Sequence, residues 1–350
     1  MLKKMLLLFA LCTGIAHAEY RVVVTDPPGG GSSVWTTTVL KQLNKFTDEP
    51  IIMEHIPGAR NLPGANKFHN DLRFDNRYML VGVGSHATNI LVEKVDFDWS
   101  KYDAIGGQNL DIIVGKNTKF DYSQKLVWGN TGGLMDTTGF ALMLCGNLPS
   151  IDSYVSCWKQ KAIWVGGVSS ADQKMMFLRG EFNVTRDPPP SWVKNYEGNK
   201  DVAIWYTNGL YDLKTKKQVA NPNYPKEYFF EEAFKKKWGV APKGEMYDIY
   251  KLLTTTNNAL QKVFWINKGN PNTPKLREAL RKMTQDKEAM AEIAKESGGE
   301  YPWFIGDDMN KVTQEVYKNV NASDLQNIVK WYDTALGTQS LFKPEMVTKK

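Results

Sequence analysis

The sequence predicts an α/β protein of two lobes, and two observations carry that prediction. Short runs of β-branched and apolar residues alternate with loops rich in Gly, Ser, Thr and Asn that open into helical patterns, as in chains whose strands feed helices. The chain also has 350 residues, 42% apolar and 23% charged. That is more than one hydrophobic core usually serves, and far from a disordered or fibrous composition. The net charge of +6 is too dilute for a nucleic-acid groove. No segment after the first residues approaches the ~18 apolar residues that suggest a membrane span.

The N-terminus reads as a signal peptide over residues 1–18. Lys3 and Lys4 make a positive start, Met5 to Cys12 is apolar, and Ala16-His17-Ala18 fits the small-x-small cleavage pattern. A lipoprotein signal is disfavoured because Leu11, not a small residue, precedes Cys12. Cleavage after Ala18 removes two lysines and no acid, lowering the charge from +6 to +4. It also leaves two cysteines, Cys145 and Cys157. An even pair at short spacing in an oxidising compartment suggests a disulfide, with two separate buried thiols as the alternative. A metal site is not expected: there is no CxxC or HExxH, and only His55, His69 and His86 remain.

In chain order, Tyr20 to Val24 reads as a strand, followed by the glycine run Gly29-Gly30-Gly31 and a helix carrying Val34, Val39, Leu40, Leu43 and Phe46, with Ser32 or Ser33 as its cap. Ile51 to Met53 is a second strand, followed by a proline- and glycine-rich loop and a helix to about Asp71. Tyr78 to Val83 is a third strand, opening into a Gly84–Asn89 loop. Further strands are expected at Asp111–Gly115, Leu126–Asn130, Ala162–Val165, Val202–Tyr206 and Val263–Ile266. Helices are expected before Leu144, up to Arg179, over Lys275–Lys295 behind Pro274, over Asp307–Val320 and over Ser323–Leu336. The alternation implies a largely parallel sheet, whose ligands bind beyond the carboxyl ends of the strands.

The loops at those ends carry the chemistry. Small residues let a ligand approach the backbone, and free N–H groups at helix N-termini favour an anion without a buried lysine. Gly82-x-Gly84-x-x-Ala87 has the spacing of a dinucleotide fingerprint, but alone it is weak, and nicotinamide cofactors are unusual partners for exported proteins. The Gly29–Gly31 run lacks the GK[ST] ending of a phosphate-binding loop, and there is no GxSxG elbow. No cofactor is expected.

The order of these loops resembles that of the Bug-type solute-binding receptors of tripartite tricarboxylate transporters. Pro28-Gly29-Gly30-Gly31 is similar to the family's first motif, Pro57-Gly58-Ala59 with Gly64-Ala65 to its second, and Leu80 to Asn89 to its third. Asn130–Thr138 stands where the family has a Gly/Ser/Thr segment opening a helix. Val165-Gly166-Gly167 with Ala171, Leu178 to Asn183, and Asn270 to Pro274 resemble later motifs in the same order. The resemblance implies a two-lobed periplasmic binding protein of the type II kind, with a small carboxylate held in the cleft between the lobes. It implies lobe 1 from 19–117 and 251–350, and lobe 2 from 118–250. It also implies a monomer that delivers its ligand to membrane subunits and binds no nucleic acid.

Carried over by position, the opposing ligand loops are Gly30, Gly31, Ser32 and Ser33 on one side, and Thr131, Gly132, Gly133, Asp136, Thr137 and Thr138 on the other. Ser85, His86 and Asn89, with Gly167 and Ser169, complete the pocket. Arg60 is a candidate for a distal carboxylate in bidentate geometry, or an exposed loop arginine. Asp136 is a candidate for an amino group, or a helix-start charge. Trp35 either walls the cleft or sits in the core, and Lys235-Lys236-Lys237 reads as a solvated helix face. Arg60-Asn61-Leu62-Pro63 replaces the family's glycines, and Ser32-Ser33 stands where it often has Asp. The chain therefore reads as a divergent member that captures a di- or tricarboxylate, an acidic amino acid or an aromatic carboxylate. The competing readings are an exported hydrolase using Ser85 and His86, and a ligand-sensing interaction protein without a transport role.

Overall fold

The computed structural model describes residues 19–93, 95–129, 134–318 and 320–338. The expected signal peptide lies outside these residues, as do Thr131, Gly132 and Gly133. In chain order the elements are β1 (Tyr20–Val24), α1 (Gly31–Leu43), β2 (Ile51–His55), α2 (Leu62–Asn70), β3 (Tyr78–Val83), α3 (Gly84–Val92), β4 (Tyr102–Gln108), β5 (Ile113–Asn117), β6 (Leu126–Gly129), α4 (Asp136–Cys145), α5 (Ile151–Lys161), β7 (Ala162–Val165) and α6 (Ser170–Leu178). There follow β8 (Val184–Asp187), α7 (Pro189–Asn195), β9 (Val202–Thr207), β10 (Leu210–Asp212), β11 (Lys217–Val219), α8 (Phe230–Trp238), α9 (Glu245–Ala259), β12 (Lys262–Asn267), α10 (Thr273–Gln285), α11 (Lys287–Ser297), β13 (Trp303–Ile305), α12 (Asp307–Tyr317) and α13 (Ala322–Leu336).

The first lobe is built on a six-stranded sheet of order β13-β4-β12-β3-β1-β2. Its central strands are apolar on both faces, because helices cover both. Val22 and Val24 of β1 point into one core with Trp35 and Val39 of α1, while Val23 points into the other with Phe68 and Trp265. Trp35 is fully buried, its indole N–H donating to Gln108 Oε1 at 2.8 Å, so it is a core residue. The second lobe holds the antiparallel sheet β8-β5-β9 and the parallel pair β6-β7. Its core gathers Trp128, Phe140, Tyr206 and Phe230. Cys145 at the end of α4 and Cys157 in α5 are disulfide-bonded, with Cα atoms 6.3 Å apart.

Several sequence expectations change. The largely parallel sheet does not hold: β1 is parallel to β2 and β3, but β12 runs antiparallel to both its neighbours, β3 and β4. The reason is the crossing of the chain. Met246, Ile249 and Leu253 of α9 sit in the second lobe's core, Ala259 at its end sits in the first lobe's, and β12 enters the sheet from that side. The expected Gly84–Asn89 loop is helix α3. The helix expected over Lys275–Lys295 divides where Asp286 caps α11, accepting from Ala289 N at 2.8 Å. Strand β5 pairs with β8 and β9, and α13 packs Leu325, Ile328 and Trp331 into the second lobe's core.

Candidate functional site

A cavity of about 30 Å³ lies between the lobes. From the first lobe it is lined by Asp26 after β1, Gly31 and Ser32 at the start of α1, Asn61, and Ser85 at the start of α3. From the second it is lined by Ser170 and Gln173 of α6, and by Arg186, Asp187 and Pro188 where β8 turns into α7. Asn257, Gln261 and Lys262 close it from the crossing segment. Three helix N-termini, those of α1, α3 and α6, thus converge on one space. Their N–H dipoles favour negative charge there.

Asp26 organises the first-lobe side. Its Oδ2 accepts from Ser32 N at 2.8 Å, so a resident carboxylate caps α1 in place of an N-cap side chain. In the orientation that satisfies both ends of its amide, Asn61 donates to Asp26 Oδ1 and to the Thr25 carbonyl, each at 3.1 Å. It accepts from Ser85 Oγ at 3.1 Å. Arg60 and Asn61 both have left-handed backbone, φ 58° and 62°. That conformation is easier for Asn than for Arg. The His86 ring is buried, with Nε2 2.9 Å from the Asn61 carbonyl and Nδ1 accepting from Val83 N at 3.3 Å. Burial pushes His86 down to about 4, against the Asn61 hydrogen bond and the Asp26 charge.

On the second-lobe side, Arg186 pairs with the buried Asp136 at 2.7 Å. Burial outweighs Arg186 and pushes the Asp136 carboxyl up to about 6. Asp187 is also pushed up by burial, while Lys174, Ser191 and Tyr196 favour its charged form. Lys262, the first residue of β12, is 2% exposed. Its ammonium donates to the Gln261 carbonyl at 3.0 Å and to Gln261 Oε1 at 2.6 Å. Burial pushes Lys262 down to about 7, against Asp26 and Asp187, which favour its charge, and with Arg186, which opposes it.

The lobes touch around this cavity. Lys174 Nζ donates to the Gly29 carbonyl at 3.0 Å. A Cβ on Gly31 would meet Pro188 Cδ and Cγ at 3.1 Å, so a side chain there would crowd the opposing loop. The cavity holds about two waters.

Of the residues singled out from the sequence, Gly31, Ser32 and Ser85 line the cavity. Gly30 and Ser33 flank them, buried, at the start of α1. His86 and Asn89 sit on α3; Asn89 Nδ2 donates to the Arg60 carbonyl at 3.0 Å. Arg60 itself turns to Glu93, with an ion pair at 2.6 Å. Thr137 and Thr138 are buried and bond back to the Leu134 and Met135 carbonyls; Trp331 Nε1 also donates to Thr137 Oγ1 at 3.0 Å. Ser169 caps α6 by accepting from Asp172 N, and Gly167 is exposed at φ 81°. Gly82 and Gly84 of the dinucleotide-like spacing serve packing: a Cβ on Gly82 would strike the Trp265 indole, and one on Gly84 would strike Asn257.

Sequence reasoning missed Asp26, Asn61, Arg186, Asp187 and Lys262. One signal was present. Thr25-Asp26-Pro27-Pro28 and Arg186-Asp187-Pro188-Pro189 repeat a strand-Asp-Pro-Pro pattern, once in each lobe, and the two loops face each other. Nothing local marks Lys262, which reads as an ordinary lysine at the edge of an apolar run.

No family model matches the sequence, and no curated protein matches it. Solved structures do match in fold. Periplasmic binding protein BugD aligns with a TM-score of 0.61 at 14% identity, covering 91% of this chain and 97% of BugD. A protein of R. palustris with adipate gives 0.58 at 12%, covering 91% of this chain and 97% of its own. MatC from Rhodopseudomonas palustris with bound malate gives 0.57 at 13%, covering 91% and 98%. The chain has the two-lobed fold of a periplasmic binding protein.

Proposed function

We propose that the protein is an exported solute-binding receptor of the Bug type. It captures a small carboxylate between its lobes and passes it to the membrane subunits of a tripartite tricarboxylate transporter. The observation that carries this reading is the convergence of three helix N-termini and the side chains of Arg186 and Lys262 on the space between the lobes. The fold shared with structures holding adipate and malate supports it. The signal-peptide pattern of residues 1–18 and the disulfide fit a protein that works in an oxidising compartment such as the periplasm. Gly31, Ser32 and Ser85, flanked by Gly30 and Ser33, are the proposed ligand contacts of the first lobe. Residues 109–112 and 260–261 are the proposed hinge between the lobes, which open to admit the ligand and close on it.

The hydrolase reading finds less support. His86 Nε2 faces a backbone carbonyl, and Ser85 Oγ bonds to Asn61, so the two do not form a nucleophile–base pair. The test is thermal stabilisation of folded, ligand-free protein by L-malate, adipate, citrate, L-glutamate and benzoate. A clear rise in melting temperature with at least one of them is expected. No shift with any of the five would remove the carboxylate reading.

A further inference from the structure

Lys262 is a buried cation in the lining of the cavity. It opens β12, paired in register with Val83 and Gln108, in the middle of the first lobe's sheet. It is 2% exposed, yet among the described residues its ammonium bonds only to the residue before it and makes no ion pair. Burying an ammonium without a counter-ion is costly, and a methionine of similar length would avoid that cost. The other cations near the cavity are engaged. Arg186 is paired with Asp136, and Lys174 spans the cleft to Gly29. Asp26 lies beside Lys262, but its two oxygens are held by Ser32 N and by Asn61.

We propose that Lys262 anchors the captured solute, giving up its bond to Gln261 Oε1 and donating to one carboxylate of the ligand across the cleft. This rests on the receptor reading above and deepens it: the ligand's class is set by a buried ammonium that has no ion-pair partner among the described residues, as well as by helix N-termini. It has a second consequence. Lys262 is pushed down to about 7, so near neutrality the empty receptor carries it about half protonated. A bound carboxylate favours the charged form, so binding takes up a proton and weakens as pH rises.

The other groups around Lys262 do not reverse this sign. His86, from α3, is pushed down to about 4 and stays neutral above pH 5. Arg186, from β8, is held by its ion pair with Asp136. Asp187, also from β8, is pushed up by burial, so its charge grows with pH and opposes an anionic ligand in the same direction. Asp26, from the β1 loop, favours the Lys262 charge. Asn257 and Gln261, beside it on the crossing segment, do not titrate.

The experiment is titration calorimetry on the full mature chain, using the five carboxylates named above as probes, at pH 6.0 and 8.5. The tightest probe is expected to bind wild type up to about 30-fold more weakly at pH 8.5. Lys262→Met is expected to weaken its binding at pH 6.0 by about 10- to 100-fold and to remove most of the pH dependence, leaving only the part that Asp187 and Asp136 contribute. Lys262→Gln provides the same comparison if the methionine variant does not fold. Binding to either variant within about twofold of wild type at pH 6.0 overturns the anchor and leaves the receptor reading standing. No binding of any probe to folded, ligand-free wild type overturns both.

Discussion

Lys174, on α6 of the second lobe, donates across the cleft to the Gly29 carbonyl of the first lobe at 3.0 Å. The same ammonium favours the charge of Asp187, which burial opposes. One side chain therefore both latches the lobes and steadies a carboxylate in the lining. This gives a physical reason for a lysine at a position that is only 7% exposed.

Lys174→Met removes the latch and leaves the backbone of both lobes intact. A hydrogen bond to a charged donor contributes ~1.5–3 kcal/mol. The variant is therefore expected to release its tightest carboxylate about tenfold faster or more, as read by stopped-flow displacement. An unchanged dissociation rate would show that the contact does not hold the closed form.

Gly31 meets Pro188 where the loops oppose each other, and its backbone is of ordinary hand. Gly31→Val is therefore expected to spare the folding of each lobe and to prop them apart. Small-angle scattering should give a larger radius of gyration than wild type. Affinity should fall by about tenfold or more, because the closed state is less populated. A variant as compact as wild type would count against the two loops meeting on closure.

His86 gives a pH dependence of known sign. Its ordinary value near 6.5 is pushed down to about 4 in the fold. Between those values the unfolded chain binds a proton that the folded chain does not, so the contribution is intact above pH 6.5 and is lost as pH falls toward 4. Asp111 and Asp136, pushed up by burial to about 7 and about 6, titrate across part of the same range. The quantity to read is therefore the difference between wild type and His86→Gln. Between pH 7 and 4.5 that difference should shift by about 2 kcal/mol against wild type in urea unfolding. A constant difference would mean that the imidazole is not held neutral.

The Cys145–Cys157 bond closes a short loop linking α4 to α5. In the chain-entropy model such a link stabilises by about 3 kcal/mol. The double variant Cys145→Ser, Cys157→Ser is expected to lose an amount of that order in urea unfolding under oxidising conditions. Reduced wild type should match it. Equal stability of oxidised and reduced wild type would contradict the assignment.

The sequence by itself determined the elements whose signal is local. β1, β3, β7, β9 and β12 stand where β-branched and aromatic runs fall between turn residues, and α6, α12 and α13 where residues of helical spacing follow polar loops. It also located the loop at the start of α1, because a glycine run between a strand and a helix has few other uses. β4 escaped notice because Gly106 and Gly107 dilute its strand character, and α5 because its polar face outweighs its buried one. The direction of β12 was not local either: it follows from the second lobe being threaded between β4 and β12.

The contents of the cleft were decided by tertiary structure alone. Asp26 and Lys262 face one space from opposite parts of the chain, Lys174 reaches Gly29, and Arg186 takes Asp136. A buried charge is defined by what packs around it, and that depends on how two lobes meet rather than on the residues beside it in sequence. Arg60 is the clearest example. As a loop arginine near a ligand motif it reads either as a carboxylate clamp or as an exposed loop residue, but the left-handed turn at Arg60 and Asn61 places it against Glu93, and the ammonium lining the cavity comes from a lysine that no local pattern marks.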